Sequence, residues 1–162
     1  MPLITVDGFR EDIFAPLDDD APLPDGAVLV SLSRFQAERD ALIARNAPIG
    51  VRLKSDQSPE QLGEIVHRLS LVALEFPKFR DGRAFSWARL LRTRLDFKGQ
   101  VRAVGDFLYD QIAYQKRVGF DAWEVANGFS HDDLHRALGE ISNIYQPSAD
   151  GRKTIRALRA SA

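Results

Sequence analysis

"SLVALEFPKFRDGRAFSWARLLRTRLDFKGQVRAVGD", residues 70–106, is the stretch on which the fold turns. It begins with an apolar run of strand length, stopped by Pro77, which has no N–H to give to a ladder. Ala84, Ala88, Leu91 and Leu95 then recur at helical spacing. "GQVRAVG" (residues 99–105) is a second apolar run. Strand, helix and strand in one such span predict a crossover unit with two parallel strands.

Working outward, the same alternation continues in both directions. Upstream, "GAVLVSLS" (26–33) and "PIGVRLK" (48–54) read as strands. Ser33, with Gln36 three residues on, predicts a helix start running to about Arg45. Ser58-Pro59-Glu60-Gln61 predicts another helix, whose apolar stripe is Leu62, Ile65, Val66 and Leu69. Downstream, a helix is expected from Asp106 to about Arg117, and "GFDAWEVA" (119–126) as a fifth strand. Ser130 with Asp133 resembles a capping box, ahead of a stripe of Leu134, Leu138, Ile141 and Tyr145.

The fold class is therefore α/β: a single domain of alternating strands and helices with a mainly parallel sheet. An open doubly wound sheet and a partial or distorted β/α barrel both fit, and either places function at the strand carboxyl ends. The α/β domain is expected over 26–146. Before it lies an acidic, Pro- and Asp-rich segment, 1–25, in which "LITVDGFRED" reads as a short hairpin or edge strand. After it comes a weakly helical tail, 147–162.

The 162 residues are 44% apolar and 28% charged, the balance of one globular domain with a substantial core. With no cysteine there is no disulfide framework, thiolate nucleophile or cysteine-held metal. No apolar run is of membrane-spanning length and no signal-like N-terminus occurs, so a cytoplasmic location without membrane association is expected. Net charge is −1, but unevenly spread. Residues 1–26 carry seven acids against Arg10, whereas residues 76–102 carry eight bases against Asp81 and Asp96. The two regions either neutralise one another or leave the basic one for an anionic partner.

Two constellations carry chemistry. In "FPKFRDGR" (76–83), a turn dipeptide leads into a helix start beside Lys78, Arg80 and Arg83. Free N–H groups and cations there suit a sulfate, phosphate or carboxylate, with Asp81 and Gly82 forming the turn. The second is a charge inside each of four apolar strands: Arg52 (with Lys54), Glu75, Arg102 and Glu124. Such charges must pair, reach an end of the sheet or face a polar cavity. They form either an internal ion-pair network or a site, with Arg52 or Arg102 as an anion clamp and Glu75 or Glu124 as an acid–base group. Gly105-Asp106 follows a strand and offers backbone to a ligand, with Asp106 a further acid–base candidate, although no dinucleotide fingerprint occurs. His131 and His135 sit one turn apart but lack the remaining ligands and base of a zinc motif. No basic stripe with interleaved aromatics points to nucleic acid.

The block from Phe76 to Trp123 resembles a family of uncharacterised proteobacterial proteins. Its matching pieces are Phe76, Phe79, Asp81-Gly82-Arg83, Phe85-Ser86, Ala88 and Leu91-Arg92. Further along they are Gly99, Val101-Arg102-Ala103, Gly105-Asp106, Asp110-Gln111, Arg117 and Gly119-Phe120-Asp121. That family is described as a domain of unknown function, or as an oxidoreductase linked to sulfite reduction, its genes lying beside that of assimilatory sulfite reductase. The resemblance implies a role in sulfur assimilation without assigning catalytic residues, and it leaves any cofactor unknown. Two expectations follow. One is an accessory protein binding a small oxyanion, sulfite reductase or the reductase's electron donor. The other is a small enzyme acting on an oxyanionic substrate at the strand carboxyl ends. Convergence of Arg83 and Arg102 in a pocket would favour the enzyme; a flat patch with exposed Phe85 or Trp87 would favour docking.

Overall fold

The computed structural model describes residues 1–161. In chain order it contains β1 (Leu3–Thr5), β2 (Gly8–Arg10), β3 (Ala15–Pro16), β4 (Val28–Ser31), α1 (Leu32–Ala37), α2 (Arg39–Ala44) and β5 (Ile49–Leu53). A 3₁₀ segment (Pro59–Arg68), β6 (Leu71–Phe76), α3 (Arg83–Thr93) and β7 (Gln100–Gly105) follow. Next come a 3₁₀ turn (Tyr109–Gln111), α4 (Ile112–Val118), β8 (Ala122–Glu124), α5 (His131–Gly139) and α6 (Ile155–Ala160).

All eight strands join one sheet in the order β2-β1-β8-β7-β6-β5-β4-β3, parallel from β3 to β8. The hairpin β1–β2 adds antiparallel to β8. Strand order decides between the two architectures left open by the sequence. A doubly wound sheet reverses direction once, placing helices on both faces. Here each parallel strand is laid beside its predecessor without reversal, so right-handed crossovers put the helices that connect them on one face. The sheet is a curled half barrel. Chain reach requires the curl. Residues 11–14 link β2 and β3, the two outermost strands of the sheet. Five residue steps span at most about 18 Å, whereas seven strand spacings in a flat sheet are about 33 Å.

Strand alternation then sorts the side chains. Val28, Val30, Val51, Leu53, Val72, Leu74, Phe76, Val101, Ala103 and Trp123 face the helices and form the main core with Phe35, Leu62, Ala88, Leu91 and Leu134. The opposite, concave face carries a small apolar cluster of Leu29, Leu71, Ala73 and Val104 under the Phe14 ring. It also carries Arg52, Glu75, Arg102 and Glu124. At the amino edge of the sheet Arg92 of α3 ties the loops together. It donates to the carbonyls of Phe97 (2.7 Å), Gly99 (2.8 Å) and Gly119 (3.0 Å) and to Asp121 (2.6 Å).

Several local expectations shift. The first N-cap is Ser31, whose hydroxyl accepts from the Arg34 N–H (3.1 Å), so Ser33 lies inside α1, and the single helix expected to Arg45 breaks at Glu38. The Ser58-Pro59 start is present, but the following segment is 3₁₀ and interrupted at Gly63, whose φ of 61° no continuous helix tolerates. Residues 106–108 are loop, and α4 starts only at Ile112. The Ser130/Asp133 box forms, yet α5 ends at Gly139 and leaves Tyr145 exposed instead of in a core stripe. The tail forms α6 and is anchored by Asp150, which pairs with Arg117 at 3.3 Å.

Candidate functional site

The carboxyl ends of β4, β5 and β6 open into a cleft of about 840 Å³. Strand register puts Ser31, Arg52 and Glu75 on its inner wall, and the loop after β3 supplies Asp18, Asp19 and Asp20 opposite. Lys54 and Gln57 close one end. Asp19 is held by both serines of the α1 start: Ser31 donates at 2.5 Å and Ser33 at 3.2 Å. Arg34, buried at 4% exposure and paired with Glu38 at the end of its own helix, holds the loop from below through the carbonyls of Asp18 and Ala21 (2.6 Å for the latter). The cleft thus has a rigid acidic wall facing Arg52 and Lys54. No acidic partner for the Lys54 side chain occurs among the described residues.

Glu75, named as an acid–base candidate, lies here and is engaged by Arg52 at 3.2 Å. Arg102 and Glu124 form the second pair, also at 3.2 Å. The four strand charges are therefore two separate pairs on one face, each running diagonally from an arginine to a glutamate on the next strand. Arg102 is 1% exposed and receives more: Gln100 Oε1 accepts from its Nε and Nη2 (both 3.1 Å), and Asp12 accepts from Nη1 (2.6 Å) and Nη2 (2.9 Å). Burial opposes ionisation of Asp12, but the Arg102 guanidinium and the Phe14 N–H outweigh it and hold the carboxyl below its ordinary value.

The "FPKFRDGR" loop takes another form. Asp81 bonds Arg83 twice through its carboxylate (2.6 and 2.9 Å) and also accepts from the Arg83 backbone N–H at the start of α3 (3.2 Å). Arg83 completes its set on Ser55 Oγ (2.9 Å). The Arg83 bonds hold Asp81 far below the usual carboxylate range. The Asp81 carboxylate occupies the place an external anion would take at that helix start, with Gly82 as N-cap. Lys78 and Arg80 are exposed with no ion pair among the described residues, and the Arg80 guanidinium lies over the Phe79 ring, 5.3 Å from its centroid. Asp106 braces this loop, its carboxylate accepting from the Phe79 N–H (3.4 Å). Gln111 does the same by donating to the Phe79 carbonyl (2.9 Å). Gly105 ends β7 against the Phe76 carbonyl.

Lys78, Arg80, Asp81, Gly82, Arg83, Gly105 and Asp106 are thus neighbours at the β6–β7 carboxyl edge, while Arg102 lies apart on the concave face. Arg83 and Arg102 do not converge. Phe85 and Trp87 are half-buried, Trp87 donating to the Ser55 carbonyl (2.9 Å). The exposed apolar groups of this edge are instead Phe79, Leu108, Tyr109 and Tyr114.

Residues 50–156 match the model of a family described as a bacterial protein of unknown function, DUF934. The chain belongs to this family. The DUF934 segment begins within β5 and contains both arginine–glutamate pairs and the basic loop. The residues opposing them, Asp12 and Asp18 to Asp20, precede it. No curated protein matches the chain. Among the described residues no helix is long and apolar enough to cross a membrane.

Sequence reasoning singled out the four strand charges and the basic loop because each breaks a local pattern. It missed Asp12, Asp19 and Ser31 as parts of a site. An acidic loop gives no sign of which strand it will cross, and Ser31 sits in a strand that reads as apolar.

Proposed function

We propose that this DUF934 protein is an accessory protein of assimilatory sulfite reduction that docks on the reductase or its electron donor through the carboxyl edge of β6 and β7. The sulfur assignment rests on the family resemblance. The docking reading rests on one observation: Phe79, Leu108, Tyr109 and Tyr114 are exposed together beside Lys78 and Arg80. The patch is rigid, because Asp106 and Gln111 brace its loop, Tyr109 packs beside Phe129 and Tyr114 beside Phe85. Rigid aromatic side chains next to exposed cations are the composition of energetic centres in protein interfaces. They fit a partner surface with an apolar pocket and acidic rim. Phe79→Ser combined with Tyr109→Ser is expected to weaken binding to sulfite reductase roughly tenfold or more, while the variant keeps a cooperative thermal transition. Unaltered binding, or normal growth of a gene-deleted strain on sulfate as sole sulfur source, would refute it.

A second reading, a small enzyme acting on an oxyanionic substrate, is supported by Arg52, Lys54 and Ser31 at the strand carboxyl ends, in a cleft whose lining also carries Asp18, Asp19, Asp20 and Glu75. Thermal-shift titration with sulfite, sulfate, phosphate, adenosine phosphosulfate and flavins tests it. Saturable stabilisation that Arg52→Ala removes supports this reading, and no shift with any compound counts against it.

A further inference from the structure

The concave face offers a different kind of site. Residues 11–14 cross the open side of the half barrel without pairing to any strand. Ile13 is 65% exposed; the segment is held down by the Phe14 ring, inserted over Leu29, Leu71, Ala73 and Val104, and by the Asp12 carboxylate on Arg102. Beneath it the register places Ser31, Arg52, Ala73, Arg102 and Ala122 in one row across five strands. Arg52 and Arg102 stand in that row two strands apart, roughly 10 Å between backbones, with the small Ala73 side chain between them.

A buried arginine on a sheet face needs an anion across its fork, because an unpaired guanidinium removed from water is strongly unfavourable. Glu124 and Gln100 reach Arg102 from the sheet, each through a single oxygen, whereas the two-oxygen contact comes from outside it. Asp12 presents two oxygens to two nitrogens in parallel, as a bidentate oxyanion does. It is also the replaceable member of the set: its side chain is 34% exposed, and its neighbours in the crossing segment make no ladder bonds. Rotation of this one side chain would free the fork without disturbing any strand.

From this geometry we infer that Arg102 is a binding site for a small oxyanion, sulfate-like or phosphate-like, and that the chain's own Asp12 carboxylate occupies it in the free protein. Binding exchanges the internal carboxylate for the external one and loosens residues 11–14. The site is separate from both the β6–β7 edge and the carboxyl-end cleft, so it stands or falls independently of the proposed docking. Full-length Asp12→Ala, titrated calorimetrically with sulfate, sulfite and phosphate, should bind at least one of them roughly tenfold more tightly than the parent chain. A folded variant that binds none saturably, or none more tightly than the parent, overturns the inference. If Asp12→Ala does not fold, amide exchange in the parent chain decides. Faster exchange over residues 11–14 at high phosphate, against chloride at equal ionic strength, supports the site, and unchanged exchange overturns it.

Discussion

Gly105 leaves β7 with φ at 96°, and a Cβ built there would sit 2.4 Å from the Phe76 carbonyl oxygen. That oxygen also accepts from the Asp106 N–H at 2.7 Å, so the two strand ends are locked backbone to backbone. Neither strain can relax by moving a side chain. Gly105→Ala should therefore cost about 3 kcal/mol, read as a lowered urea midpoint with an unchanged slope. The same close approach positions Asp106 under the Phe79 N–H. The variant should accordingly also loosen the loop at Lys78 to Arg83, seen as faster amide exchange there. Arg92 illustrates a related point. In sequence it is one more arginine of a basic run, yet its donors are spent on three backbone carbonyls and Asp121. Arg92→Ala leaves those carbonyls without a partner in a half-buried site, and a loss of about 2–4 kcal/mol is expected, again by urea unfolding.

At the scale of elements, the segment between β2 and β3 is held in a way that depends on pH. Asp12 has a depressed pKa in the folded chain. Its contribution is present above the unfolded aspartate value, about 3.9, and is lost as pH falls through the lower folded value. Stability of the parent chain should fall over that acidic range, whereas Asp12→Asn should be less stable at neutral pH and show a flatter acid limb. The measurement is chemical unfolding at stepped pH; parallel curves for the two chains would contradict it. The α1 start shows how a single capping serine can serve two elements. Ser31 terminates β4, caps α1 and orients Asp19 at the cleft. Strand and helix are both legible in the sequence, but the helix start is expected two residues late, because Ser33 with Gln36 offers the same local pattern as the true cap.

For the whole molecule, the curl of the sheet makes the N-terminal segment part of the architecture. It supplies β1, β2 and β3, covers both edges of the parallel array and caps the concave face with Phe14. A chain lacking residues 1–25 should lose cooperative thermal unfolding and bind a hydrophobic dye, because β8 and β4 lose their neighbours and Leu71, Ala73 and Val104 are uncovered. A sharp transition without dye binding would show that the array stands alone. The residues themselves determined a good deal. Strand-length apolar runs alternating with helical stripes were enough for a parallel α/β sheet, and a charge within each strand marked Arg52, Glu75, Arg102 and Glu124 as unusual. Those signals are local, set by the two-residue period of strands and the 3.6-residue period of helices. Which arginine meets which acid was decided only in three dimensions. Strand order puts all four charges on the face without helices, the short β2–β3 link pulls Asp12 across it, and the α3 start folds Arg83 back onto Asp81. Pairing of that kind depends on the curvature and register of the whole sheet, which no short window of sequence contains.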